Sequence, residues 1–272
     1  MPRVQIIIPA RLASTRFPAK PLALLTGADG VRRPAFHYTW QAGLAAAQAL
    51  GSHARCIIAT DDWQIADVAE AAGMAVVMTP ETCANGTERC AAALGELNDV
   101  PDIVVNLQGD APLTPPAMVA AVVALLEADP ALAMATAAVP ASPAVLAHLQ
   151  ADAAAGRVGG TTVVCSSTGR ALYFSKSIIP HVVPGSTPQQ DVLLHLGLYA
   201  YRPAALTAYA AHGPVVLELQ EGLEQLRFLD AGLPVGVAVC PAPAWEMIEL
   251  NNPSDIPLIE AELARRAQTE PA

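Results

Sequence analysis

The chain has 272 residues, and fifteen Lys and Arg against twenty-five Asp and Glu leave it at −10 at pH 7. That length suits one large α/β domain or two small ones, and 53% hydrophobic with 15% charged residues excludes disorder over most of it. The acidic balance and 4% aromatic content argue against nucleic-acid binding, which needs a basic face and stacking rings. Residues 4–8 form an apolar run too short for a membrane span or a signal peptide, so a first strand is expected there. A polar loop and a helix over residues 34–50 follow, then a strand over 55–59 ended by Thr60, Asp61 and Asp62. The acidic pair opens a helix that Gly73 closes, and residues 75–78 give another strand. Residues 86–97 read as a helix, residues 102–107 as a buried strand, and Pro115 and Pro116 open a further helix. Strands separated by helices of this length imply βαβ units, a parallel sheet, and ligands at the carboxyl ends of its strands.

The second half differs in texture. Residues 161–165 and 171–175 flank Ser167, Thr168, Gly169 and Arg170 as a hairpin, and residues 195–202 are strand-like. A single helix is expected over 217–229, a strand over 235–239 and a polar helix over 254–266. Residues 140–160, with Pro140, Pro143, Gly156, Gly159 and Gly160, read as a loop-like junction or active-site flap. The expectation is one domain over 1–272, with about 140–205 a smaller β-rich portion. The five cysteines (56, 83, 90, 165 and 240) are odd in number and lack a Cys-x-x-Cys pair. They read as isolated thiols of a cytoplasmic protein.

Charge is unevenly spread. Residues 1–33 hold Arg3, Arg11, Arg16, Lys20, Arg32 and Arg33 against Asp29 alone, a net +5, so the remainder carries −15. Arg11, Arg16 and Lys20 lie in the loop after the first strand, where clustered cations make a cradle for a polyanion such as a triphosphate. Only two lysines stand among fifteen cations, which marks Lys20 as a chosen point charge. A solvated basic loop is the competing reading. Neither a Walker A sequence nor a Gly-x-Gly-x-x-Gly fingerprint is present in this loop.

The loop, with Arg11, Ser14, Arg16, Pro18 and Lys20, resembles the Arg-x-x-Ser-x-Arg-x-Pro-x-Lys signature of the 3-deoxy-manno-octulosonate (Kdo) cytidylyltransferase family. The likeness continues in order at Ala59-Thr60-Asp61, Gly86-Thr87-Glu88-Arg89 and Gln108-Gly109-Asp110. It extends through residues 171–175, His195-Leu196-Gly197-Leu198-Tyr199 and Leu223-Glu224-Gln225-Leu226-Arg227. The resemblance implies a Rossmann-like α/β nucleotidyltransferase with a mixed, mostly parallel central sheet and a smaller β-rich portion for dimerisation and sugar binding. It further implies a cytoplasmic homodimer that couples CTP to the anomeric hydroxyl of Kdo with Mg2+, serving lipopolysaccharide synthesis.

By the same resemblance, Arg11, Ser14, Arg16 and Lys20 hold the triphosphate, and Gly86 and Gln108 line the nucleotide pocket. Lys20, Arg16 and Asp110 would be the catalytic set. Asp110, emerging after a buried strand, suits a magnesium ligand, with a helix N-cap as the alternative. Lys176 would meet the sugar carboxylate, His195 and Tyr199 would lie in the sugar pocket, and Glu224 and Gln225 would reach the sugar hydroxyls. His195 and Tyr199, four apart on a strand, would share one face, either in the pocket or at the core edge. Glu218, Glu221 and Glu224 recur at helical spacing, which usually marks a solvated acidic face.

Four departures from the family pattern stand out, with a milder fifth at Ala19. Asn251 stands where the family's second metal ligand is Asp, and Ala111 where Glu is usual. Asn85 replaces Ser before Gly86, with Cys83 in place of His, and residues 156–162 lack a customary Lys. Ala19 replaces a Gly. These keep two other readings open: CMP activation of a related acidic sugar such as an amino-substituted octulosonate, or a catalytically idle CTP-binding relative.

Overall fold

The computed structural model describes residues 1–13, 17–157, 159–183, 191–243, 245 and 247–269. In chain order the first elements are β1 (Val4–Ala10), a 3-10 turn (Lys20–Leu22), β2 (Leu24–Thr26), β3 (Arg32–Pro34), α1 (Ala35–Leu50) and β4 (Ala54–Thr60). Next come α2 (Trp63–Ala71), β5 (Val76–Met78), α3 (Gly86–Gly95), β6 (Ile103–Leu107) and α4 (Pro116–Ala128). The chain continues with β7 (Met134–Pro140), α5 (Pro143–Ala154), β8 (Thr162–Cys165), β9 (Ala171–Ser175) and β10 (Leu193–Tyr201). It ends with α6 (Pro203–His212), α7 (Val216–Glu221), α8 (Leu226–Asp230), β11 (Val235–Val239), a second 3-10 turn (Pro253–Asp255) and α9 (Ile256–Thr269). Two compact units result: Met1–Ala120 with Pro243–Ala272, and Ala121–Ala242.

In the first unit β1 pairs in parallel with β4 and with β6, and β4 pairs in parallel with β5. Ile6, Ile7 and Ile8 of β1 are fully buried, as expected of a strand covered on both faces. Helix starts follow capping chemistry. The Asp62 carboxylate accepts from the backbone N–H groups of Gln64 and Ile65 at the start of α2, and Asn85 Oδ1 accepts from Glu88 N–H at the start of α3. The carboxy-terminal segment returns to this unit: Leu250 and Ile259 are buried with Leu25, Tyr38 and Leu113. Glu260 Oε1 also accepts from Thr26 N–H at 2.6 Å.

In the second unit β7 lies between β11, parallel to it, and β10, antiparallel. β8 joins β10 and β9 in antiparallel fashion, so the expected hairpin is present, with Gly169 at φ 76° in its turn. Pairing among β1, β4, β5 and β6 is parallel, as the alternation implied, and that in the second unit is mixed, as the resemblance implied. A row of rings forms the core: Tyr199, Tyr201, Phe228 and Tyr209 follow one another at centroid spacings of 6.0, 5.6 and 4.8 Å.

Two readings of the sequence are corrected, and one strand lay outside them. Residues 143–154 are helical and not loop-like: Ser142 Oγ accepts from Val145 N–H and Pro143 occupies the first turn, where its missing N–H has no cost. The single helix over 217–229 is broken, because Gly222 takes a left-handed conformation (φ 67°) and ends α7. Glu224 therefore does not continue a face with Glu218 and Glu221, and Glu218 is buried rather than solvated. The strand β7 was not anticipated: its Ala-rich sequence has little strand propensity, and pairing on both sides decides its conformation.

Candidate functional site

The cationic loop leaves the carboxyl end of β1. Arg11 Nη1 donates to the carbonyl of Ala84 at 3.4 Å, which brings the loop to the start of α3. Ser14 and Arg16 lie outside the described residues. Ala19 sits at φ 54°, a left-handed conformation that Gly takes more readily, and is followed by Lys20 at the head of the 3-10 turn. The Lys20 ammonium lies 2.5 Å from Asp110 Oδ2, both side chains being about four-fifths covered (17% and 23% exposed). Ninety residues of sequence separate this pair.

Glycine makes the convergence possible. A Cβ on Gly109 would stand 2.5 Å from the Pro9 carbonyl oxygen, so only Gly lets the chain after β6 close against the end of β1. The buried Thr39 hydroxyl donates to the Gly109 carbonyl at 3.0 Å and fixes that approach. Gly86 serves similarly: an added Cβ would come within 3.1 Å of Gln108 Nε2, crowding the side chain assigned to the nucleotide pocket. The N-cap reading of Asp110 is excluded, since α4 begins only at Pro116 and the carboxylate engages Lys20.

Behind this cluster Arg89, 2% exposed, donates to Thr79 Oγ1 at 2.6 Å and to Asp61 Oδ2 at 2.7 Å. The motif segments around Asp61 and Arg89 are thus tied through one buried guanidinium. The departure at Asn85 is neutral in physical terms, because Asn caps a helix as well as Ser does.

For a metal, the carboxylate of Asp110 and the amide oxygen of Asn251 are hard oxygen donors, and Mg2+ is held by one or two such groups plus substrate phosphates. The Asp110 carbonyl accepts from Leu250 N–H at 2.8 Å, so the backbone just before Asn251 is tied to that of Asp110. Asn251 Nδ2 donates to Glu249 Oε2 at 3.3 Å. Asp255 accepts from the N–H groups of Asn251 and Asn252 at 2.8 and 2.7 Å, so its carboxylate caps the turn before α9. Among the described residues no group of three or more His, Cys, Asp or Glu side chains is placed to hold a metal. The donor set fits an ion completed by phosphate oxygens, and the Lys20 ammonium shows that Asp110 accepts a cation at this place.

In the second unit the remaining candidates gather. Lys176 follows β9, its Nζ donating to Thr161 Oγ1 at 3.0 Å and its N–H to Glu221 Oε2 at 2.8 Å. Glu221 also accepts from Ser175 Oγ at 2.9 Å, so this carboxylate anchors the strand end that carries Lys176. His195 is buried against Phe174 and Tyr199, with ring centroids 5.0 and 5.6 Å away. Burial, with the Lys176 charge adding to it, pushes the His195 pKa down to about 3. The Tyr199 hydroxyl points to Gln225 Oε1 at 3.5 Å, and Gln225 is 1% exposed. Glu224 precedes it, half-buried. Arg227 holds this corner from below: it donates to both oxygens of buried Glu218, at 2.7 and 2.6 Å, and stacks 3.9 Å from the Tyr209 ring centroid.

Comparison with known proteins decides the family. A cytidylyltransferase family model matches residues 5–235. The chain belongs to the cytidylyltransferase family. A 3-deoxy-manno-octulosonate cytidylyltransferase of Maricaulis maris is 40% identical to this cytidylyltransferase, over 97% of this chain and 98% of its own. The mitochondrial enzyme of that name from Arabidopsis thaliana is 34% identical, over 97% of this chain and 84% of its own. A solved structure of CMP:2-keto-3-deoxy-manno-octonic acid synthetase complexed with CTP superposes with a TM-score of 0.81 at 29% identity. It covers 97% of this chain and 99% of its own.

Sequence reasoning missed several side chains of this cytidylyltransferase that organise the two clusters. Glu221 and Glu218 looked like surface acids, because their partners lie far along the chain. Thr136 went unread, although a lone hydroxyl in the apolar run of β7 is a signal: a buried polar group needs partners.

Proposed function

We propose that this cytidylyltransferase couples CTP to the anomeric hydroxyl of Kdo. The sugar oxygen bonds the α-phosphorus as the bond to the β-phosphate breaks, giving CMP-Kdo and pyrophosphate. The observation that carries the reading is the meeting of Lys20 and Asp110 at the carboxyl ends of β1 and β6, where an α/β sheet binds its ligands.

In this reading Arg11, Lys20 and the loop residues Ser14 and Arg16 hold the triphosphate, the three cations neutralising its charge, while Gly86 and Gln108 line the nucleotide pocket. Lys20, a mobile point charge, follows the negative charge that develops on the leaving pyrophosphate. Asp110 and Asn251 would hold Mg2+, which when bound supplies electrophilic stabilisation of the phosphate oxygens. Lys176 receives the sugar carboxylate, and His195, Tyr199, Glu224 and Gln225 receive its hydroxyls. The buried Gln225 Nε2 has no hydrogen-bond partner among the described residues, which supports a ligand acceptor for it. Exposed apolar residues on α7 and β9 (Val216, Leu219 and Leu172) support a homodimer, measurable by light scattering. The product serves lipopolysaccharide synthesis, and we place the enzyme in the cytoplasm.

The test is pyrophosphate release with CTP, Mg2+ and Kdo. Turnover with Kdo supports the proposal; turnover only with another sugar acid, or CTP binding without turnover, overturns it. Restoring the carboxylate with Asn251→Asp should lower the Mg2+ concentration for half-maximal rate, and an unchanged requirement would remove position 251 from the metal.

A further inference from the structure

The strand β10 carries two extra residues. Leu196 pairs with Ala137, but the next pair is Tyr199 with Thr136, so residues 197 and 198 bulge from the ladder. A regular strand would set the Cα atoms of residues four apart about 13 Å from each other. The bulge instead places His195 and Tyr199 opposite Ala138 and Thr136, neighbours on one face, with rings 5.6 Å apart.

Thr136 fills the bulge. Its side chain is fully buried, and Oγ1 lies 2.8 Å from the Leu198 carbonyl, 3.4 Å from the Leu196 carbonyl and 2.9 Å from His195 Nε2. A hydroxyl has one hydrogen to give, and a carbonyl can only accept. Donation to Leu198 leaves an oxygen lone pair facing Nε2, so Nε2 must carry the ring hydrogen. The depressed pKa, about 3, keeps the imidazole to one hydrogen at neutral pH, which leaves Nδ1 bare. Among the described residues Nδ1 has no partner.

We propose that Thr136 is a positioning residue: it locks His195 as the Nε2–H tautomer, so that Nδ1 is offered to the sugar acid as an acceptor for one hydroxyl. This rests on the reading of the second unit as the Kdo site. A bare acceptor discriminates, since a sugar lacking that hydroxyl leaves it unpaired. Thr136 reaches the substrate only through His195.

The decisive measurement is the 15N spectrum of the imidazole rings in the full-length protein, with His195 assigned by comparison with His195→Asn. The expected pattern is one protonated Nε2 and one pyridine-like Nδ1, unchanged between pH 8 and pH 5. Thr136→Val removes the hydroxyl and keeps the shape. It should mix the tautomers and raise KM for Kdo about tenfold, as for one lost hydrogen bond, with KM for CTP unchanged. Thr136→Ser should restore both. An Nδ1–H or doubly protonated ring in the unsubstituted protein overturns the proposal, as does a Val variant with unaltered ring signals and KM. Should the Val variant fail to fold, the unsubstituted spectrum and the Ser variant decide. The expected ring signals without any Kdo turnover would overturn the functional reading alone and leave the tautomer assignment supported.

Discussion

Lys20 and Asp110 each have the other as a partner of opposite charge, so phosphate oxygens must compete for the ammonium. Lys20→Ala should lower kcat by about 10²–10³, the range for removing one donor to developing charge. Lys20→Arg should not restore it, because a planar fork cannot follow the leaving group as an ammonium does. Steady-state pyrophosphate release checks both, and an unchanged rate would take the loop out of the mechanism. His195 gives a second expectation at this scale. The unfolded chain takes up a proton near pH 6.5, whereas the folded ring resists until about 3. The contribution of His195 to stability is therefore complete above about 6.5 and lost as pH falls toward 3. Thermal denaturation over that window should show a steeper loss for the unsubstituted protein than for His195→Gln, and parallel curves would exclude the effect.

At the scale of elements, Gly109 and the β10 bulge place side chains that propensity cannot. Gly109→Ala drives a methyl group against the Pro9 carbonyl and should cost about 1–3 kcal/mol in urea denaturation, as overpacking does. It should also depress activity through the displaced Asp110, and a silent variant would mean that the chain after β6 adjusts freely. The strands β1, β4 and β6 could be read from apolar runs, and the start of α2 from the acidic pair ending in Asp62, because those signals are local. Helix α5 could not, since Pro143 and Ser142 look alike in a loop and at a helix start. Nor could the break at Gly222, where a tolerated helical glycine and a terminating one are spelled the same way. The positions of Lys20 and Asp110 were legible as strand-end residues; their contact depends on Gly109, whose role appears only with the Pro9 carbonyl opposite it.

At the scale of the whole molecule, the first unit is assembled from both ends of the chain, and its limit at Ala120 falls inside α4. No linker composition marks such a limit, so the sequence reads as continuous there. What sequence did carry was order: the motif segments run through both units, and a cytidylyltransferase model matching residues 5–235 follows the same course. The five cysteines, free in the structure, are spread over this frame. Burial pushes Cys56 up to about 12 and raises Cys83, Cys165 and Cys240 as well, while Cys90 is wholly covered. Thiolate is scarce at neutral pH, so a disulfide reagent should label Cys83 and Cys165 slowly and the other three only when the backbone opens. Mass spectrometry of the labelled peptides would then time the breathing of each unit separately. Cys56 and Cys90 act as clocks for the first unit and Cys240 for the second, with no engineered reporter needed.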